Sequence, residues 1–148
     1  IKVYKFDKKN IKFPNLNNNH ISEATYYRLY TSSYLPNDIK HITYLDADTV
    51  CTNNPTNHIM RIQSKLDDNK SIAVKTEMDR QPDTSALFDK LQMSSKKYFN
   101  AGVMVINLDL WKENNIEDKA RDKMVLLADK IQFWDQDILN SIIDGDYV

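Results

Sequence analysis

Strand-like runs alternate with helix-period segments along this chain, and that order admits few folds. Residues 1–6 alternate apolar and polar side chains, 41–45 and 71–75 are short apolar runs, and 103–106 is continuously apolar, as in a strand covered on both faces. Ser22 is placed to cap a helix reaching about Tyr34, stopped by Pro36, with Glu23 in its favourable first turn. Wound as a helix, that stretch puts Tyr26, Leu29, Tyr30 and Tyr34 on one broad apolar side, with Arg28, Thr25 and Ser32 on the other. A short helical stretch fits between the second and third runs, and Pro82 opens another reaching about Met93. Asn114 or Asn115 caps a long helix in which Ile116, Ala120, Met124, Leu127 and Ile131 recur at helical spacing; a last helix spans about Gln136 to Ile143. The expected fold is α/β with a mostly parallel sheet, in one domain over residues 1–148. Ligands of such sheets sit beyond the carboxyl ends of the strands.

Composition removes several classes of function. A net charge of −1 gives no reason to expect nucleic acid as a partner. No apolar stretch is long enough to cross a bilayer, and no signal-peptide pattern opens the chain. The lone Cys51 cannot form an internal disulfide and permits a reducing compartment, so a soluble, cytoplasmic protein is expected. The Asn69-Lys70-Ser71 sequon does not alter that. The two glycines, Gly102 and Gly145, stand too far apart in the chain to form a P-loop or a dinucleotide fingerprint. His20, His41 and His58 are scattered and build no zinc motif.

Three Asp-x-Asp pairs occur, Asp46/Asp48, Asp135/Asp137 and Asp144/Asp146, so position must separate them. The first ends an apolar strand, where alternate side chains share a face and both carboxylates can converge. Two hard oxygen donors suit Mg²⁺ or Mn²⁺, and such ions bring phosphate with them. A polar turn closing a strand would use the same residues. Asn100-Ala101-Gly102 enters the 103–106 strand, where the glycine permits close approach to a ligand and equally serves a turn. Asp135-Gln136-Asp137 begins the last helix, where an aspartate N-cap is the commoner role. Asp144 and Asp146 flank Gly145 in a turn.

Taken together these segments are more specific. Ala24-Thr25-Tyr26-Tyr27-Arg28-Leu29, Tyr44-Leu45-Asp46-Ala47-Asp48, Tyr98-Phe99-Asn100-Ala101-Gly102-Val103-Met104-Val105-Ile106-Asn107-Leu108, Trp111 and Asp135-Gln136-Asp137-Ile138-Leu139-Asn140 come in the order of a known family. The chain closely resembles glycosyltransferase family eight, which includes bacterial lipopolysaccharide galactosyl- and glucosyltransferases and the glycogenins. The resemblance implies a retaining transferase of the GT-A fold that moves glucose or galactose from a UDP-sugar to a saccharide, lipid-linked or protein-linked glycan acceptor. It implies that Asp46 and Asp48, flanking Ala47 in the donor site, hold Mn²⁺ (or Mg²⁺) on the UDP diphosphate. Arg28 matches the donor-site arginine, and Asn100, Ala101 and Gly102 match donor-sugar contacts. Asp135 matches a carboxylate gripping sugar hydroxyls. Gln136 matches the residue whose amide oxygen lies across the anomeric carbon from the leaving group.

Two parts of the family pattern lie outside the chain. A first strand with an Asp/Tyr-containing loop for uracil and ribose is expected before residue 1. A His-x-x-Gly-x-x-Lys-Pro-Trp segment, carrying a third metal ligand and a phosphate-binding lysine, is expected after Val148. The chain then corresponds to the middle of a catalytic domain that transfers little by itself, with any membrane contact made through regions outside it, at the inner face. Two other readings stay open. Asp46-Ala47-Asp48-Thr49-Val50 fits a haloacid-dehalogenase-type Mg²⁺ phosphatase, with Asp46 as nucleophile and Asp48 as acid. A non-catalytic sugar-nucleotide-binding domain would keep the same fold.

Overall fold

A computed structural model describes residues 1–14, 22–66, 69–77 and 84–148. A 3₁₀ helix, Glu23–Tyr30, runs into a short α-helix, α1 (Thr31–Tyr34). Next come β1 (His41–Leu45), α2 (Thr56–Leu66), β2 (Ile72–Thr76), α3 (Thr84–Lys90) and β3 (Phe99–Asn107). Helices α4 (Leu108–Glu113), α5 (Ile116–Leu126) and α6 (Trp134–Ile143) complete the order. Pro82 and the Asn-rich stretch 15–19 lie outside the described residues.

The sheet order is β1-β3-β2, and both neighbours run antiparallel to the central β3. The expected mostly parallel sheet is therefore corrected for these strands. β1 and β2 do point the same way, but β3 is inserted between them in the opposite sense. Alternation of strands and helices along a sequence does not say which strands become neighbours. One contact of parallel pattern exists at the outer edge of β2, where Val148 N–H donates to Ile72 O (3.2 Å) and Val74 N–H to Val148 O (3.1 Å).

A break in the β2–β3 ladder positions the site. Val74 pairs with Met104, yet the next residue, Lys75, pairs with Asn100. Residues 101–103 therefore bulge away from β2, which frees the backbone of Ala101 and Gly102 for side chains. β3 is longer than the 103–106 run because this bulge precedes its apolar half.

The core fills the space between the sheet and the helices. Tyr26, Leu29, Tyr30, Phe99, Met104, Ile106, Leu108, Trp111, Ile138 and Leu139 are buried in it, and Trp111 Nε1 donates to Leu29 O at 3.3 Å. On the opposite sheet face, Leu66 of α2 packs on Ala73 and Val105. The Ser22 hydroxyl accepts from Ala24 N–H (3.0 Å), so the cap read from the sequence is formed. The helix it caps is 3₁₀ rather than α, and threefold winding stacks Thr25, Arg28 and Thr31 in one row. α5 stops at Leu126, short of Ile131, and Asn115 precedes it at φ 53° with no side-chain cap bond. Residues 1–6 form no ladder among the described residues; Phe6 instead packs its ring on Tyr27 (4.5 Å) and Tyr30 (5.6 Å). Asp144 ends α6 at φ 44° and accepts from Ser94 and Ser95 N–H (2.9 and 2.8 Å), while Asp146 pairs with Lys70, so the third Asp-x-Asp pair holds a turn. No helix among the described residues is long and apolar enough to cross a membrane.

Candidate active site

Where β1 ends, the 3₁₀ helix, the β3 bulge and the start of α6 enclose an open cleft of about 260 Å³. Thr25 and Arg28 line one wall, Asp46, Ala101 and Gly102 the floor, and Phe133 through Gln136 the far wall.

Arg28 ties these walls together. Its side chain is only 12% exposed, which a charged group tolerates when carboxylates surround it. Nη1 donates to Asp46 Oδ1 at 3.0 Å and to Ala101 O at 2.9 Å. Nε lies 2.8 Å from Asp135 Oδ2, but its N–H bond is directed at Thr25 O (3.3 Å). Asp135 Oδ2 therefore keeps the ion pair without an aligned hydrogen bond. Asp135 Oδ1 accepts from the Thr25 hydroxyl at 2.6 Å. Burial pushes the Asp135 carboxyl up to about 6, against the pull of Arg28 and the Thr25 bond toward the charged form.

Asp46 is held on one oxygen and open on the other. Oδ1 takes both Arg28 and the Tyr44 hydroxyl (2.7 Å). Oδ2 faces Gly102, where an added Cβ would lie 2.8 Å from it and 3.0 Å from Asn100 Oδ1. Burial, together with the bond to Asp46, raises the Tyr44 phenol above its ordinary range, which keeps it a donor.

The bulge backbone is accounted for by these same side chains. Ala101 N–H donates to Gln136 Oε1 (2.9 Å), Gly102 N–H to Asn100 Oδ1 (2.8 Å), and Asp46 N–H to Gly102 O (2.8 Å). The Gln136 amide is fixed at its other end, where Nε2 donates to the Tyr98 hydroxyl at 3.2 Å. That hydroxyl donates to Asp137 Oδ1 (2.6 Å), while Asp137 Oδ2 accepts from Gln132 and Phe133 N–H (2.6 and 2.8 Å). Asp137, from inside α6, thus anchors the two residues that lead into the helix, while the N-cap position, Phe133, makes no side-chain cap bond and Asp135 does not serve as one.

Of the residues expected from the sequence, Arg28, Asp46, Ala101, Gly102, Asp135 and Gln136 meet in this cleft, and Asn100 stands beside Asp46. Ala47 and Asp48 do not line it; they are exposed in the following turn, closed by Thr49 N–H to Asp46 O at 3.0 Å. No cluster of three metal-binding side chains exists among the described residues. Sequence reasoning missed Thr25, Tyr44, Tyr98, Phe133, Trp134 and the structural use of Asp137. Two of these carried a signal: Tyr44 shares a strand face with Asp46, and Thr25 precedes Arg28 by one 3₁₀ turn.

Several proteins of similar sequence and build are named glycosyltransferases. A lipopolysaccharide 1,2-glucosyltransferase of Escherichia coli is 34% identical over 146 residues, 95% of this chain and 40% of that enzyme. A lipopolysaccharide 1,3-galactosyltransferase of Salmonella typhimurium is 29% identical over 79% of this chain and 35% of its own length. The crystal structure of galactosyltransferase LgtC with donor and acceptor sugar analogs matches at a TM-score of 0.74 and 31% identity, over 90% of this chain and 46% of that one. A structure of an active-site glutamine-to-glutamate mutant of LgtC matches equally well. The chain spans less than half the length of each of these relatives. The GT-A architecture expected from the sequence is shared with LgtC, and with the Glycosyl transferase family 8 profile matching residues 1–148, this chain belongs to that family.

Proposed function

We propose that this chain carries the donor cleft of a retaining transferase that moves a hexose, glucose or galactose, from a UDP-sugar to a saccharide or glycoconjugate acceptor. The observation that supports it most is Arg28 bridging Asp46 and Asp135 in one cleft with Gln136 on the facing wall. Relatives named lipopolysaccharide glucosyl- and galactosyltransferases favour a lipid-linked glycan acceptor and a place in bacterial envelope synthesis. A cytoplasmic location is part of the same reading, with membrane contact through regions outside this chain.

Asp46 and Asp48 are the residues that would hold Mn²⁺ (or Mg²⁺). The fit rests on hard oxygens: Asp46 lines the cleft, its Oδ2 so close to Gly102 that a Cβ there would lie 2.8 Å from it, and Asp48 is exposed in the turn that follows. Held there, such an ion would supply positive charge to offset that of the departing diphosphate. Arg28 adds fixed positive charge beside Asp46. Asp135, buried against Arg28 and Thr25 at the cleft wall, is the carboxylate that would face the sugar hydroxyls. Gln136 Oε1 uses one lone pair on Ala101 and keeps the other for positive charge growing on the anomeric carbon. The sugar–phosphate bond breaks with its electron pair on UDP, the acceptor oxygen attacks the same face, and its proton passes to the departing phosphate. An amide is a poor nucleophile, so no covalent intermediate is required.

The phosphatase reading of Asp46 and Asp48 falls with the family assignment, and it left Arg28, Asp135 and Gln136 without a role. Titration of the full-length protein with UDP, with and without Mn²⁺, tests the transferase reading. Asp48→Ala is expected to lose the metal-dependent part of UDP affinity, and Gln136→Ala to keep UDP binding while turnover collapses. Undiminished UDP affinity with Mn²⁺ in Asp48→Ala would refute the metal assignment. UDP binding without any transfer would mark a non-catalytic binding domain.

A further inference from the structure

Trp134 opens α6 at φ 46°, the left-handed region where glycine or asparagine is ordinarily found and a bulky aromatic is an outlier. Helix capping does not explain it, because α6 has no side-chain cap bond and the preceding Gln132 and Phe133 N–H groups are held by Asp137 instead. Burial explains only part. Trp111, the other tryptophan, is fully buried with Nε1 bonded to Leu29 O. Trp134 is half-buried: it packs against the core and also bounds the cleft, next to Asp135 and Gln136. Strain of this kind persists where the surrounding structure enforces it, and it collects at ligand sites. An indole beside a carboxylate and an amide suits a pyranose, whose C–H face is apolar and whose rim carries hydroxyls.

We infer that Trp134 is a stacking platform for a hexopyranose ring, whether the hexose of the donor or the first ring of the acceptor. This rests on the transferase reading above. The test uses full-length protein with Trp134→Ala, Trp134→Phe and Trp134→Gly, with UDP, UDP-glucose and UDP-galactose as donor-side probes and lactose and methyl α-glucoside as acceptors. Wild-type binding of UDP with Mn²⁺ tests the transferase reading; ratios of variant to wild type test Trp134. Trp134→Ala should leave UDP affinity within about twofold. If the ring is the donor's, affinity for UDP-hexose falls at least about fivefold. If it is the acceptor's, donor affinity holds and transfer to the saccharides falls at least about fivefold relative to hydrolysis of the same donor. Trp134→Phe should retain most of either function. Trp134→Gly, free of the left-handed penalty, should melt at or above Trp134→Ala while losing the sugar equally. UDP-hexose affinity and saccharide transfer both within about twofold of wild type in Trp134→Ala would overturn the inference. So would lowered melting and lost UDP binding together in all three variants, which would mark a packing residue.

Discussion

The Arg28 guanidinium lies 4.4 Å above the ring of Tyr44, and both side chains bond the same oxygen of Asp46, at 3.0 and 2.7 Å. Ring, cation and carboxylate form one unit. With Oδ1 fully engaged, Asp46 cannot rotate freely, and its second oxygen is left facing Gly102 and Asn100. The unit joins the 3₁₀ helix to the end of β1, so the cleft is set by two elements that share no backbone ladder.

Tyr44→Phe keeps the ring under Arg28 and removes the bond to Asp46. A hydrogen bond to a charged group contributes about 1.5–3 kcal/mol, so Mn²⁺-dependent UDP affinity is expected to fall at least about tenfold. Tyr44→Leu also removes the cation–π contact and should lose about 0.5–1 kcal/mol more. Calorimetric titration with UDP and Mn²⁺ checks both. Wild-type affinity in Tyr44→Phe would show that Arg28 alone orients Asp46.

The sequence made β1 legible to the residue, because 41–45 is a short apolar run with its turn directly after it. The Ser22 cap and the burial of Tyr26, Leu29 and Tyr30 were legible for the same reason: cap chemistry and side-chain period are local. Strand direction was not, since pairing β1 and β2 through β3 is decided by contacts far apart in the chain. The bulge at 101–103 was hinted at by Gly102, but its consequence, four backbone groups serving the cleft, depends on where Arg28, Gln136, Asn100 and Asp46 arrive in space. Asp135 and Asp137 look alike in sequence. Only packing shows that one pairs with Arg28 and the other holds Tyr98 and the backbone leading into α6.

Asp135 should make stability fall as pH rises. Its carboxyl moves from an ordinary 3.8 to about 6 on folding, chiefly through burial. Between those values the folded state holds more protons than the unfolded one, so unfolding becomes easier with rising pH, and the loss is complete above the folded value. The full effect is about 3 kcal/mol at most. Asp144 acts in a separate window. Burial works against its charged form, but the Ser95 and Ser94 amides prevail and hold it below 3.8, so its contribution is present above that value and lost on further acidification. Urea unfolding at about pH 4.5 and about pH 7 should show wild type weakening with pH and Asp135→Asn weakening less. Parallel slopes in the two proteins would contradict the assignment. With Asp135 in its proposed role at the sugar, the same variant should also bind UDP-hexose more weakly than wild type.

Tyr98→Phe separates the orientation of Gln136 from the integrity of the cleft. The lost hydroxyl donates to Asp137 Oδ1 and accepts from Gln136 Nε2. Asp137 keeps the amides of Gln132 and Phe133 on its other oxygen, so the start of α6 stays anchored. Leaving a buried carboxylate oxygen short of a donor should lower stability by about 1–3 kcal/mol. Gln136 then retains Ala101 N–H alone, and its amide can turn its nitrogen toward the cleft, placing a donor where positive charge develops. Turnover is expected to fall about tenfold or more while UDP affinity stays within about twofold, because Arg28 and Asp46 are untouched. Steady-state kinetics beside UDP titration reads the difference. Equal losses in both would assign Tyr98 to the support of the whole cleft and remove Gln136 as the reason for its hydroxyl.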